Sequence, residues 1–269
     1  MDTSESAGPV VDRWTVTGLA LLLMPLVTMA HEIGGHAAAC VALGHKVTEL
    51  GAFYVECDAH NSLAGRIVGA AGPAIDVVIA LAGYLVWQRL RGDMARLVAW
   101  YVWLMAAFAA AGYFAYSGLT GIGDLNPGEG GGIGPLPYPL AFRALFALGG
   151  ALAYWRLVVV GMRTLDAMIG QGLPTKTARR TIGLLFYAVV CSSALVVSLF
   201  NPVGVFITLA SAAAATFGGN AGLISIGFAT RAVGEPRAFT IGRRPLVIAA
   251  GLVATLAFGA VLGPSIVLR

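Results

Sequence analysis

Charged side chains are scarce in this chain. Asp, Glu, Lys and Arg make up 11% of its 269 residues, against roughly 25% in soluble domains. With 58% hydrophobic residues and a mean hydropathy of +0.82, the composition excludes an ordinary soluble fold and indicates an integral membrane protein. Cysteine is almost absent. Cys40, Cys57 and Cys191 are widely spaced and form no C-x-x-C pair. Two of them fall in helical stretches, so no disulfide framework is expected. Four histidines are too few for the clusters of a His-rich di-iron lipid oxidase. The opening residues, MDTSESAGPVVDR, lack the basic start and small-residue cleavage site of a secretory signal. The first apolar run is therefore expected to stay as a span. A net charge of +4 fits basic cytoplasmic loops and implies no nucleic-acid partner.

Several apolar runs reach the ~20 residues that cross a hydrocarbon core. Spans are expected at 14–43, 63–88, 96–119, 140–162, 181–200, 203–229 and 245–267. The fifth and sixth are separated only by Asn201-Pro202 and form either one hairpin or one broken helix. The expected fold is all-α: a polytopic transmembrane helical bundle of six or seven spans with a short outer-side extended segment. A polar tail occupies 1–13, a core of three spans and outer loops 14–139, and additional transmembrane helices 140–269.

Lys and Arg placement orients the bundle. Arg89, Arg91 and Arg96 follow span two, Arg163, Lys176, Arg179 and Arg180 follow span four, and Arg231, Arg237, Arg243 and Arg244 precede the last span. The loops 44–62 and 120–139 carry Lys46 beside five acidic residues: Glu49, Glu56, Asp58, Asp124 and Glu129. The positive-inside rule then places the N-terminus in the cytoplasm, with the chain in the plasma (inner) membrane.

Within the first span stands His31-Glu32-Ile33-Gly34-Gly35-His36. Ionisable groups at membrane depth are costly and mark function. Two imidazoles are metal ligands, and an adjacent carboxylate is a general base toward water that a zinc ion activates. The usual H-E-x-x-H spacing sets both histidines on one helical face. Here they are five residues apart, and a regular helix would point them about 140° away from each other. A one-residue π-bulge restores the shared face, and Gly34 and Gly35, lacking Cβ atoms, ease it.

His31 lies about 26 Å along the span from Trp14, at 1.5 Å per residue. A third ligand should therefore come from the outer end of another span, or from an outer loop. Asp124, just past span three in Gly121-Ile122-Gly123-Asp124-Leu125-Asn126-Pro127, meets that condition. Glu129 is an alternative in a Gly-rich loop (GEGGGIG) expected to be mobile. That loop is no phosphate loop, since no Lys-Ser/Thr follows. Asp76, inside span two, either supports a ligating histidine or is the third ligand itself. His45 and His60 flank an outer-side stretch, 46–56, whose β-branched and aromatic residues suggest a short extended segment. Cys57 with His60 is a weak second metal pair. Pro25 should kink the first span.

These residues resemble the site-2 protease family of intramembrane zinc metalloproteases. The likeness rests on His31, Glu32 and His36 followed by AAACVALG, on Ala71-Gly72-Pro73 early in the next span, and on an aspartate after a third. It covers roughly residues 20–130. It implies zinc held by His31, His36 and Asp124, with Glu32 as catalytic base, acting on a membrane-protein or peptide substrate in or near the lipid bilayer. The family has H-E-x-x-H; the longer spacing here is similar to that of dipeptidyl peptidase III, a soluble zinc peptidase. The family's aspartate sits in Asn-Pro-Asp-Gly, whereas Asp124 precedes Asn126-Pro127. The alternative from another class is a non-hydrolytic metal-binding membrane protein or transporter, built around Asp76 and a broken helix at Asn201-Pro202.

Overall fold

The computed structural model describes residues 8–59, 63–201 and 213–268. Among them, six helices are long and apolar enough to cross a membrane: Arg13–Ala42, Leu63–Arg89, Asp93–Thr120, Pro139–Ile169, Leu173–Ser198 and Pro245–Leu262. The first begins where Asp12 caps it, accepting the Thr15 N–H at 2.8 Å. It consists of α1 (Arg13–His31), a π-helical turn (Glu32–Ala37) and α2 (Ala38–Ala42). Pro25 lies inside α1, which continues through it. Next come α3 (Leu63–Arg89), α4 (Asp93–Thr120) and α5 (Pro139–Ile169). The fifth span contains α6 (Lys176–Arg180), a second π turn and α7 (Phe186–Ser198). After a π turn at Ala213–Gly218 and a short α8 (Gly222–Phe228), α9 (Pro245–Leu262) completes the described helices. Of the expected sixth span, 203–229, residues 203–212 lie outside the described residues; the rest forms the π turn and α8.

The most buried helix is α4, whose Trp100, Tyr101, Leu104 and Phe108 fill the core. Leu81 and Leu85 on α3, Leu148 and Leu152 on α5, and Leu252 and Leu256 on α9 are exposed. Exposed leucine on helices of span length is what a lipid-facing surface requires.

The two ends of the bundle differ. At one end β1 (Val10–Val11) pairs in parallel with β4 (Thr240–Ile241). There Asp93 accepts from the Thr240 N–H at 2.8 Å, and the Arg237 N–H donates to Ile169 O at 3.0 Å. The three basic loops thus share one end. At the other, β2 (Val47–Leu50) lies between β3 (Val55–Cys57) and β5 (Ile266–Val267), both antiparallel to it. Both α1 and α9 run from the first end to the second, packed so closely that a Cβ on Gly18 would stand 2.7 Å from Ile248 Cα.

Three expectations are corrected. The last apolar run is not helical to its end: α9 stops at Leu262, before Gly263-Pro264, and Ile266–Val267 form a strand. Proline offers no N–H to continue the helix. The chain also carries a disulfide, Cys40–Cys57, with Cα atoms 6.1 Å apart. Cys40 does lie on a helix, but the chain turns back after Leu43 and brings β3 alongside it. Lastly, the Gly-rich loop is packed. A Cβ on Gly132 would lie 2.8 Å from Asp124 Cα, and one on Gly69 would lie 2.6 Å from Gly132 C, so the loop is pressed between the Asp124 turn and α3.

Candidate metal centre

The π turn does what the spacing demanded. It absorbs one residue between His31 and His36, and both rings face the same side, with Nε2 atoms 3.1 Å apart. Its outward approach to α3 is set by two glycines: a Cβ on Gly35 would lie 2.6 Å from Gly72 Cα. At the far end of α4, Gly121 takes a left-handed conformation (φ 69°) and its N–H bonds Ser117 O at 3.0 Å, ending the helix. The following turn delivers Asp124. Its Oδ2 lies 3.2 Å from His31 Nε2 and 3.4 Å from His36 Nε2.

Each imidazole is held from behind. His36 Nδ1 is 2.7 Å from Val68 O; a carbonyl only accepts, so Nδ1 carries the proton. His31 Nδ1 donates to Asp76 Oδ2, also at 2.7 Å. When the rings are neutral, both Nε2 atoms therefore present lone pairs. Two nitrogens and a carboxylate oxygen then converge with no proton among them. Such an arrangement needs positive charge at its centre. Zinc–ligand bonds of about 2.0–2.1 Å in a tetrahedron set ligand atoms roughly 3.3 Å apart, close to the separations here. Imidazole and carboxylate donors suit zinc.

Asp124 lies beyond the end of its span. When the imidazoles are instead protonated, burial would raise its carboxyl, but the charge of His36 and hydrogen bonds from both histidines outweigh burial and hold it well below the usual carboxylate range. A metal ion between the ligands acts in the same direction. Tyr113 stacks on the other face of His31, ring centroids 4.8 Å apart and planes 12° from parallel. Glu32 is 2% exposed, and its Oε2 has no hydrogen-bond partner.

In front of the centre lies a cavity of about 510 Å³, lined by Glu32, His36 and Asp124, by Arg66 and by residues 53–57, which include β3. β3 is the edge strand of its sheet on this side. Tyr54, leading into β3, donates its hydroxyl to Glu49 and lies 2.6 Å from Ser265 Oγ. Burial, then the Glu49 carboxylate, push the Tyr54 phenol upward in pKa. The hairpin is thereby tied to the chain's last strand.

Of the residues singled out from sequence, His31, Glu32, His36 and Asp124 come together. Asp76 lies behind His31, on Nδ1, away from the ligand side. Glu129 is exposed and belongs to no cluster of ligating atoms among the described residues. His45 pairs with Asp58 at 3.0 Å on the surface, and His60 lies outside the described residues. Cys57 is spent in the disulfide and offers no thiolate. Sequence reasoning missed Val68 O, whose role no side chain could signal, and the stacking of Tyr113. No protein-family model, curated protein or solved structure matches the chain.

Proposed function

We propose that this chain is a membrane-embedded zinc metallopeptidase of the site-2-protease type, hydrolysing peptide bonds in or near the bilayer. The observation that carries the reading is the convergence of His31 Nε2, His36 Nε2 and Asp124 Oδ2 within 3.1–3.4 Å, beside a buried glutamate. Zinc in that position supplies Lewis acidity to water and to the scissile carbonyl. Glu32 takes the proton from the attacking water and passes it to the leaving amine. Asp76 and Val68 O keep both ligand nitrogens deprotonated and aimed. Tyr113 covers His31 and limits water at that face. The free edge of β3, along the cavity wall, suits an unwound substrate segment, which would add as a further strand.

The outward orientation, with a cytoplasmic N-terminus in the plasma (inner) membrane, is part of the proposal. The clustering of the basic loops at one end supports it. So does a disulfide beside the metal centre, since such bonds persist in oxidising compartments.

The test is metal analysis of purified protein with proteolysis of casein in detergent. Wild type should hold one zinc per chain, and His31→Ala and Asp124→Ala should lose it. Glu32→Gln should retain zinc while cleavage falls by at least about 100-fold. Zinc-free wild type, or full activity in Glu32→Gln, would overturn the reading.

A further inference from the structure

Arg143 on α5 and Arg66 on α3 both stand near the end of the bundle that carries the metal centre, away from the three basic loops. Arg143 is committed: its Nε donates to Gly118 O at 3.1 Å and its Nη2 to Leu119 O at 2.8 Å, at the C-terminal end of α4. Arg66 is not. Among the described residues it has no hydrogen bond or ion pair, and its Nε is buried without an acceptor. Its side chain lines the large cavity in front of the metal centre. The carboxylates Glu32, Glu56 and Asp124 line the same cavity. None of them pairs with Arg66, and Asp124 is turned to the two histidines.

That placement is unfavourable in two ways. A guanidinium is always charged, and Arg66 lies three residues past Leu63, where α3 begins; a cation near a helix N-terminus opposes the macrodipole. Its Nε has also left water without gaining an acceptor, whereas buried polar groups normally find one. Nothing among the described residues offsets these penalties. A carboxylate from outside the chain would do so. Guanidinium and carboxylate match in planar, two-point geometry, and their charge-assisted hydrogen bonds are roughly twice as strong as neutral ones. The position also suits a peptide. Arg66 is six residues before Gly72, whose backbone faces both Nε2 atoms, or about 9 Å along the axis of α3. An extended peptide covers that distance with about three residues, so one short segment can reach both.

We propose that Arg66 recognises a carboxylate on the peptide that occupies the large cavity, an acidic side chain or the free C-terminus, and so selects which peptides the site accepts. That the ligand is a peptide rests on the proposed function; the unpartnered guanidinium does not. Arg66 is then a specificity residue. It holds the substrate away from the bond to be cut and takes no part in moving protons.

The experiment is fluorescence anisotropy of N-terminally dansylated peptides with the detergent-purified Glu32→Gln protein, which should bind without cutting. Three peptides share one Ala/Leu/Gly sequence: the first neutral and amidated, the second with a free C-terminus, the third amidated with one internal glutamate. At least one carboxylate peptide should bind about tenfold more tightly than the neutral one, and the one that does so identifies the source. Adding Arg66→Gln should remove that preference while the neutral peptide's affinity and the helical circular dichroism stay the same. Arg66→Glu should transfer the preference to a peptide with lysine in place of the glutamate, a reversal that a merely structural arginine would not give. Equal binding of the three peptides, binding of none, or a preference that survives Arg66→Gln would overturn the carboxylate site. Zinc content and casein cleavage judge the peptidase reading separately. Carboxylate-selective binding by a protein that holds no zinc would leave Arg66 in its role and remove the peptidase reading instead.

Discussion

Gly72 stands against His31 with no room for a side chain: a Cβ there would lie 2.5 Å from His31 Nε2, and closer still to His36 Nε2. The helix α3 thus forms the floor of the candidate metal centre, and its backbone approaches both Nε2 atoms only because position 72 is glycine. Gly72→Ala should push one or both rings off the shared point. We expect zinc affinity to fall by about 10–100-fold, the scale seen when ligand support is disturbed. Competition with a chromophoric chelator measures it. Gly149→Ala is the control, since its Cβ meets nothing within 4 Å; it should leave zinc binding unchanged.

Asp76 is the partner that sets His31's tautomer. Replacement with alanine leaves Nδ1 buried without an acceptor, and the ring is free to turn or to carry its proton on Nε2 instead. Zinc binding in Asp76→Ala should weaken by about 10–100-fold, while the helical content measured by circular dichroism stays the same. Unaltered affinity would mean that Asp76 acts elsewhere.

The Cys40–Cys57 bridge closes a short loop, with a sequence separation of 17. Cross-links of that span stabilise by about 3 kcal/mol in the chain-entropy picture. Cys40→Ser should lower stability by about that amount and loosen β3, so that proteolysis falls more than zinc binding does. Thiol labelling of denatured, unreduced protein gives a separate check. One reactive cysteine, Cys191, is expected; three would contradict the bridge.

Gly34 is exposed, and a Cβ there would touch only Ile75, at 3.9 Å. Deleting it yields H-E-x-x-H, which a regular α-helix places on one face without a bulge. Zinc binding should therefore survive the deletion of Gly34. A second insertion of alanine at the same place should abolish it, since two surplus residues exceed what one bulge absorbs. Zinc titration of the two variants gives the comparison, and loss of zinc in the deletion variant would count against the bulge as mere accommodation.

Much of the centre was legible because its constraints are angular and axial. Five-residue spacing on a helix predicts a bulge, and the depth of His31 directs the search to Asp124 at the end of another span. Asp76 was legible as a buried charge, though its two readings needed the side of the ring it touches. The disulfide was not legible. Cys40 sits on a helix and Cys57 on a strand, and only the reversal after Leu43 brings them together. β5 was hidden inside an apolar run, although Gly263-Pro264 is the punctuation that ends the helix. The packed state of GEGGGIG could not be read either: glycines that make a loop supple in isolation also let backbone meet backbone.

The π turn carries a more general consequence. Distance along the chain and direction around a helix are the same measure only while the helix is regular. Here one surplus residue is folded into the turn, and Cys40, nine positions after His31, keeps the bearing that an eight-residue separation would give it. The residue count between ligands is therefore a historical variable, open to insertion and deletion. The bearing of the nitrogens is the chemical one.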